Sequence, residues 1–555
     1  MAIVSMGLEE APSRALPHTP EAGDPYYIGD CYERSPIANE WEINCTGKPY
    51  LAHIKSLSTA WKPLRYLADF MEVGTTPLRW KDLKTRHKER DERAERTKVT
   101  YVQVRAGQSP TALLLQDAEG LQEVAQKLSR SRSEEPSTHL LVVEDLSRDV
   151  IEILGSLFDI DPFFFREQID DYSWYNTRDP WANPPSLMAA MKHRDWFRIR
   201  NVRLHFFESE AVFEDARQES NTFNILRRPD NDQNHWQYLD KAGSIVSLTR
   251  TKTSIWVGKT GVTGNATLGI VLVDPSISVG HPLWHGYTNW LPTPSLLSPD
   301  NTSVPPSASF YDATLKWIST YPWFVETGES ASANNGIFAK PALYIVAAEW
   351  LIVCEYIKTR LGQIEWELEK PDRFRSRGDA IDASLHRLHT WRRVLPVYRE
   401  MVAETLEQAL PAAARLASDF PRRQRSSMPS FAFEDITQDF QRVQNALNEL
   451  QARVDRLTSV VTAEISMEDS RRGLQENHNL ARLTWMATTF IPLTFVSGLF
   501  SMQNNVADLK HTFGWYFLAA VPLTVIVLVV AGRVGRTWKK SKAPNSGTEE
   551  QRTRK

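Results

Sequence analysis

The stretch from about Phe431 to Gln503 has the pattern of one continuous helix that begins in water and ends in apolar surroundings. Its first half carries apolar residues at alternating spacings of four and three, the heptad pattern of a helix that packs on a partner helix. We expect a stalk helix over residues 429–482. The apolar positions are Ile436, Phe440, Val443, Leu447, Leu450, Val454, Leu457 and Val461.

From Leu483 onward the polar face of this helix disappears. Residues 483–502 contain no formal charge, and a run of about 20 apolar residues is long enough to cross a bilayer as a helix. A second uncharged run, 513–532, follows after a short loop, 503–512. Two spans this close together predict a transmembrane hairpin in a lipid bilayer.

Basic residues flank the hairpin on one side. They are Arg471, Arg472 and Arg482 around the start of the first span, and Arg533, Arg536, Lys539, Lys540 and Lys542 in the tail 533–555. The connecting loop offers only Asp508, Lys510 and His511. By the positive-inside rule this predicts a multi-pass protein with both termini in the cytosol, and we expect the plasma membrane.

The rest of the chain predicts cytosolic domains. Its 555 residues, 42% of them hydrophobic, permit a substantial core. The formal net charge of −3 gives no basic surface for nucleic acid, so no nucleic-acid partner is predicted. Without metal-ligand spacing, the three cysteines are expected to be reduced thiols; they are Cys31, Cys45 and Cys354. Three glycosylation sequons are expected to stay unmodified; they begin at Asn44, Asn265 and Asn301.

Residues 100–274 alternate short apolar runs with amphipathic ones, which predicts an α+β cytosolic domain. The predicted strands are TYVQVR, ALLLQ, HLLVV, the run from Phe197 to Phe206, FNIL, SIVSLT, TSIWVG and TLGIVLVD. Two helices are predicted between them, LSRDVIEILGSLFDI and DPFFFREQID, and Asp161 and Pro162 suit the start of the second.

Three further regions complete the predicted organisation. Residues 1–99 are irregular or helical and include a mixed-charge run, 81–98, which favours a solvated helix over an RNA contact. Residues 275–340 are rich in Pro and Ser, as in a surface insertion or loop. Residues 341–428 predict antiparallel helices that pack on the stalk.

No enzyme signature competes with this organisation. The segment VGKTGVTGN ends like a phosphate-binding loop, but Thr253 stands where the first glycine is required. A turn is expected there. His-Glu-x-x-His and Gly-x-Ser-x-Gly are absent from the sequence. Neither an enzymatic activity nor a cofactor is predicted.

The segment NHNLARLTWMATTFIPLTFVSGLFSMQ resembles the pore helix of the CorA family of divalent-cation channels. In that family a cytosolic stalk helix enters the membrane, passes a Pro-Leu-Thr-Phe segment and ends at an outer Gly-Met-Asn tripeptide. Pro492–Phe495 match that segment, and Gly498 matches a glycine before the tripeptide. The tripeptide itself is replaced by Ser501, Met502 and Gln503.

The resemblance implies a homopentamer in which the first span lines a pore for divalent cations, with Mg²⁺ the expected ion. It assigns the selectivity filter to Ser501, Met502 and Gln503, with the Ser501 carbonyl and the Gln503 side-chain oxygen facing the hydrated metal. Three-to-five spacing back from Gln503 places one helix face along the pore. The residues of that face are Asn477, Leu480, Leu483, Ala487, Ile491, Thr494 and Gly498.

Three alternatives remain open from the sequence. The small residues on that face are also typical of ordinary helix packing in membranes. The altered tripeptide allows a non-conducting sensor or scaffold that keeps the fold. Transport of Zn²⁺ or another divalent cation would share the same architecture.

Overall fold

The protein is described from a computed structural model. It describes residues 45–74, 87–104, 110–131, 137–169, 186–225, 227, 229–232, 241, 243–261, 266–283, 309–320, 335–369, 377–418, 433–502 and 509–541. Two compact units divide the chain, Met1–Leu457 and Thr458–Lys555. Each unit is described by itself.

The first unit is built on a mixed β-sheet. The described strands follow the order β2-β1-β3-β7-β6-β4-β8, and β5 pairs with β6. Strands β3 and β7 run parallel, with Leu141 opposite Ile270, and the other pairs are antiparallel. The strands are β1 Lys98–Val104, β2 Thr111–Leu115, β3 Thr138–Glu144, β4 Trp196–Phe207, β5 Pro229–Asp232, β6 Ile245–Thr260, β7 Ala266–Val273 and β8 His281–Pro282.

Helices lie between and after these strands, which confirms the predicted α+β class. Before and within the sheet region they are α1 Pro49–Leu57, α2 Leu64–Val73, α3 His87–Glu95, α4 Ala118–Ser129, α5 Arg148–Phe158, α6 Pro162–Ile169, α7 Met188–Met191 and α8 Glu210–Ser220. After it come α9 Phe310–Thr320, a 3₁₀ turn Asn335–Phe338, α10 Lys340–Glu369, α11 Arg377–Glu404, a π-helix Thr405–Ala409, α12 Leu410–Ser418, α13 Glu434–Phe500 and α14 Leu509–Ser541.

Helices cover both faces of the sheet. On one face α1, α2, α5 and α6 enclose an apolar core. On the other face α10 and α11 pack on β4, and Tyr311 of α9 hydrogen-bonds Thr100 of β1. Every residue of β7 is therefore buried, which explains why its sequence is an almost unbroken apolar run rather than an alternating one.

The starts of two predicted helices agree with the structure. Ser147 caps α5 by accepting a hydrogen bond from the Val150 backbone N–H. Asp161 precedes α6, and its carboxylate accepts from the Phe163 N–H at 2.9 Å. A side-chain oxygen at this position satisfies backbone donors that the first turn of a helix leaves free.

One predicted strand, FNIL at 223–226, is not formed in its described residues. The Asn224 and Ile225 backbone N–H groups donate to the buried Asp145 carboxylate at 3.1 Å instead of to a neighbouring strand. Burial raises the pKa of Asp145 to about 7, and these two hydrogen bonds act in the opposite direction. The segment is therefore a loop whose donors are satisfied by one side chain.

The Pro- and Ser-rich region 275–340 also differs from the expected loop, because it contains α9. This helix buries Phe310, Tyr311, Trp317 and Ile318. The helix is short, and the flanking sequence is rich in proline and polar residues, so its apolar periodicity is difficult to recognise in the sequence. The sequons at Asn44, Asn265 and Asn301, together with Cys31, lie outside the described residues.

In the first unit the start of α13 has a buried seam. Its heptad positions from Ile436 to Val454 are all buried. On the neighbouring face, Arg453 donates to the Glu365 carboxylate of α10, with Nε to Oε1 at 2.7 Å. That hydrogen bond lowers the pKa of Glu365. The predicted partner for the stalk seam is thus available within the same chain.

The second unit contains the remainder of α13 and α14. Each helix of this pair has buried positions, Pro492 and Val496 on α13 and Ala520 and Thr524 on α14. The Tyr516 hydroxyl reaches the Leu493 carbonyl oxygen at 3.5 Å. Helix α14 begins at Leu509, inside the predicted loop 503–512, and continues to Ser541, so the second helix is longer than the predicted span 513–532.

Gly269 tests how tightly the second face of the sheet is packed. A Cβ at this position would lie 2.1 Å from the Phe338 ring, so Gly269→Ala should lower the free energy of unfolding by about 2 kcal/mol. Gly473→Ala is the control, because no atom lies within 4 Å of its Cβ position. In a helix it should raise stability by up to about 1 kcal/mol. The measurement is the thermal unfolding midpoint of each variant. Equal midpoints for Gly269→Ala and Gly473→Ala would contradict the tight packing at Gly269.

Candidate functional site

The candidate site is the part of α13 that lies in the second unit, together with the turn that follows it. All seven predicted pore-lining residues lie on this helix and all are exposed: Asn477, Leu480, Leu483, Ala487, Ile491, Thr494 and Gly498. At roughly 100° per residue they occupy one sector of the helix surface. The structure therefore keeps these side chains together on one accessible stripe.

The opposite side of the same helix segment is the side that packs. Pro492 and Val496 are buried, and on the helical wheel they lie roughly opposite the stripe that holds Thr494 and Gly498. Packing within the hairpin therefore does not use the predicted pore face. If the small residues served ordinary helix packing, the face that holds Thr494 and Gly498 would be buried within the hairpin. The buried residues lie on the opposite face, and Thr494 and Gly498 are exposed.

Apolar side chains elsewhere on this helix are also exposed. Phe490, Phe495 and Leu499 each have more than half of their surface exposed, at 62%, 64% and 58%. An apolar surface of this extent needs lipid or another protein surface to cover it. The helix therefore combines a lipid-compatible surface with a weakly polar stripe.

Threonines supply the polar atoms of this segment. Thr484, Thr488, Thr489 and Thr494 each donate from Oγ1 to the carbonyl oxygen four residues earlier, at 2.7 to 2.9 Å. Such bonds satisfy the hydroxyl hydrogen without water. The lone pairs of each oxygen stay available as acceptors, and at the exposed Thr494 they lie on the predicted pore face.

Sequence reasoning singled out only Thr494 among these four residues. The other three share its backbone-directed hydrogen bond: by helical spacing Thr484 lies in the same sector as the stripe, Thr488 at its border and Thr489 outside it. Their signal in the sequence is the repeated threonine in an uncharged run, which is typical of a helix that carries hydroxyls into an apolar environment.

The predicted selectivity filter lies at the end of the helix. Ser501 and Met502 form a turn directly after α13 and are exposed, Met502 at 83%. The Ser501 N–H donates to the Ser497 carbonyl oxygen at 3.0 Å, which extends the helical hydrogen bonding by one residue. Gln503, the predicted metal-facing residue, lies outside the described residues.

None of the described residues of the stripe and of the turn after it carries a charge. Across the part of the chain that the structure describes, no group of three or more His, Cys, Asp or Glu side chains is placed to hold a metal ion. The oxygen atoms that the site offers are neutral ones, from Thr494 and from the backbone at the end of the helix.

By length and composition, the window Phe513–Val530 of α14 can cross a membrane, and among the described residues it is the single window that qualifies. Only 11% of it is buried. No window within the first predicted span, 483–502, is found by this search of the described residues. One of the two predicted spans is thus supported, and the other stays a prediction.

A pair of helices, one of which has an apolar window of membrane-spanning length, is typical of an integral membrane protein. The family model "CorA-like Mg2+ transporter protein" matches residues 333–534, from the 3₁₀ turn before α10 to the last turns of α14. Over this region the chain therefore matches the CorA-like family, which confirms the resemblance predicted from its sequence.

Solved structures were compared with the whole chain. The CorA magnesium transporter from Methanocaldococcus jannaschii is 11% identical, with a TM-score of 0.37, and the match covers 79% of this chain and 97% of that one. The full-length CmaX protein is 13% identical, with a TM-score of 0.35, covering 80% and 98%. No curated protein sequence matches the chain.

Cysteine labelling tests which side of α13 meets water. In a variant whose native cysteines are replaced by alanine, Ala487→Cys and Thr494→Cys should react with a hydrophilic methanethiosulfonate at least tenfold faster than Met486→Cys and Val496→Cys. The reason is that thiolates form in water and not in lipid or in a packed interface. The reaction is followed by mass spectrometry in reconstituted vesicles. Faster labelling at Met486→Cys than at its neighbour Ala487→Cys would assign the stripe to lipid.

Proposed function

We propose that this protein conducts divalent cations across a membrane through a path lined by the exposed stripe of α13. The observation that carries the proposal is the CorA-like match over residues 333–534, which includes the whole of this helix. The exposed stripe opposite the packed side of the hairpin supports it.

The path requires several copies of the chain. One stripe of seven residues can line only part of the circumference of a water-filled channel, so copies must be arranged around an axis with their stripes inward. We propose a homopentamer in a lipid bilayer. The basic flank of the hairpin supports cytosolic termini and an outer loop, with cations moving inward.

Magnesium is the ion that suits these groups best. Mg²⁺ loses its waters reluctantly, so a site that captures it does best by hydrogen-bonding its hydration shell through neutral oxygens. Rings of Thr494 hydroxyls, Asn477 amides and the Ser501–Gln503 turn would supply such oxygens. Leu480, Leu483 and Ile491 would form apolar constrictions that close the path by excluding water.

A non-conducting sensor or scaffold is the second candidate. The observation that favours it is the outer sequence Ser501-Met502-Gln503 in place of Gly-Met-Asn. Serine restricts the backbone more than glycine, and glutamine is one methylene longer than asparagine. Both changes alter where the outer oxygens lie. Transport of Zn²⁺ or another divalent cation is a variant of the first proposal.

Ion flux into vesicles tests the conducting function. Protein reconstituted into liposomes that contain a magnesium-sensitive dye should admit Mg²⁺ faster than empty vesicles. Thr494→Val should lower this flux about tenfold. The substitution removes a ring of acceptor oxygens, whose contribution to holding the hydrated ion is roughly that of one hydrogen bond. Thr489→Val is the matched control, since it loses the same backbone-directed hydroxyl from a half-buried position. No flux from protein shown to be assembled would exclude conduction.

Restoring the outer tripeptide separates the two candidates. If the chain conducts, the double substitution Ser501→Gly and Gln503→Asn should change the rate or the Mg²⁺ preference of an existing flux, because only the outer ring is altered. If the chain is a non-conducting relative, flux should be found in the restored protein alone. The same dye assay, run with Mg²⁺ and with Zn²⁺, reports both results.

A further inference from the structure

The part of α13 that precedes the predicted first span carries an exposed apolar edge. Val460, Met467 and Leu474 are 58%, 49% and 67% exposed. They recur every seven residues, so they lie along one side of the helix. Single exposed apolar side chains are ordinary on protein surfaces, whereas three in a heptad register form an edge that a partner helix covers. We call these three residues the heptad edge.

Lipid does not account for the heptad edge. Leu474 lies nine residues before the start of the predicted span at Leu483, which is about 13 Å along a helix, and Val460 lies further from it. Five charged residues occupy the stretch 464–472 between them; they are Glu464, Glu468, Asp469, Arg471 and Arg472. So many charges keep this part of the helix out of a hydrocarbon layer. The partner of the heptad edge is therefore a protein surface.

The heptad edge lies beside the predicted pore stripe and not opposite it. On the helical wheel Asn477 is about 60° and Leu480 about 120° from Leu474, both in the same direction. If the stripe faces the axis of an assembly, the heptad edge faces the next copy around that axis. The edge therefore has the position at which neighbouring helices of a bundle meet.

The surface between the two flanks of the stripe is small and neutral. Ser466 and Ser470 are exposed there. Their hydroxyls donate to the carbonyl oxygens four residues earlier, at 2.9 and 2.7 Å. Short side chains whose polar hydrogens are already satisfied allow a neighbouring helix to come close.

Charge is divided between the two flanks. Arg471 lies beside the heptad edge, and the exposed Asp469 lies beyond the stripe on the other flank. In the described part of the chain neither has an ion-pair partner, whereas Arg472 pairs with Glu468 at 3.6 Å. A base on one flank and an acid on the other is the pattern through which neighbouring parallel helices pair and select their orientation.

From this arrangement we infer that the heptad edge of one copy packs on the Asp469 flank of the next copy, in a ring of parallel stalk helices. The inference rests on the proposed function, which places several copies in one bilayer in the same orientation. Parallel copies use two different flanks, so the contact is heterologous and can close into a ring. Met467 and Leu474 then cover the small residues of the neighbour, and Arg471 lies at nearly the same height as its Asp469.

Disulfide cross-linking in reconstituted vesicles tests this contact. In the variant whose native cysteines are replaced by alanine, Asp469→Cys together with Leu474→Cys should form disulfides on oxidation with copper phenanthroline. Residues five apart on one helix have Cα atoms about 8.6 Å apart, too far for a disulfide, so every bond joins two copies. Non-reducing electrophoresis should show a ladder from dimers up to the complete ring.

The matched control moves one thiol by a single residue. Asp469→Cys together with Gln475→Cys places the second thiol about 100° away from the heptad edge, and its cross-linked fraction should be at least tenfold lower. Leu474→Cys alone should give no ladder, because two heptad edges do not meet in a ring. Equal cross-linking of the two pairs, or none in protein shown to be assembled, would overturn the inference.

Assembly measured without cysteines gives an independent test. Leu474→Asp should lower the assembled fraction in detergent at least tenfold by light scattering, since it places a charge in every contact, whereas Gln475→Asp should leave it unchanged. Equal assembly of the two variants would contradict the contact. The Mg²⁺ dye assay keeps the two proposals apart: a ladder without flux supports the contact and excludes conduction, and flux with equal cross-linking of both pairs does the reverse.

Discussion

The apolar surface on the second half of α13 is the constraint on which the membrane region depends. A helix satisfies its backbone hydrogen bonds internally, so it can leave water, but only if its side chains tolerate the new surroundings. In this 67-residue helix the change comes within the same element. The seam that begins at Ile436 is buried by protein, whereas Phe490 and Phe495 remain exposed in the single chain. Those side chains require lipid or further copies of the chain.

Division of this helix into two sides follows from the same constraint. Pro492 and Val496 pack in the hairpin, and Thr494 and Gly498 lie on the accessible side. The Thr494 hydroxyl hydrogen bonds back to the Phe490 carbonyl, so its oxygen can act as an acceptor while the helix stays intact. The conducting path that we propose would rely on such neutral oxygens.

The α+β domain is organised by a different requirement. Its sheet is covered on both faces, so β3 is buried at six of its seven positions and β7 along its whole length. Polar groups inside this packing are held by specific partners, as where Arg227 meets the Asp274 carboxylate through Nε and Nη2 at 2.6 and 2.8 Å.

The sequence alone determined the features that depend on periodicity and on charge. The seam of α13, the uncharged segments, most strands and the start of α6 at Asp161 follow from local patterns because each arises within a few turns or one strand. Tertiary structure decided what distant residues do to each other. It made 223–225 a loop, because Asp145 captures the backbone donors of a segment about eighty positions away. It also placed Val496 and Thr494 on opposite sides of one helix. Such outcomes depend on which surfaces meet in three dimensions, and no local pattern records that.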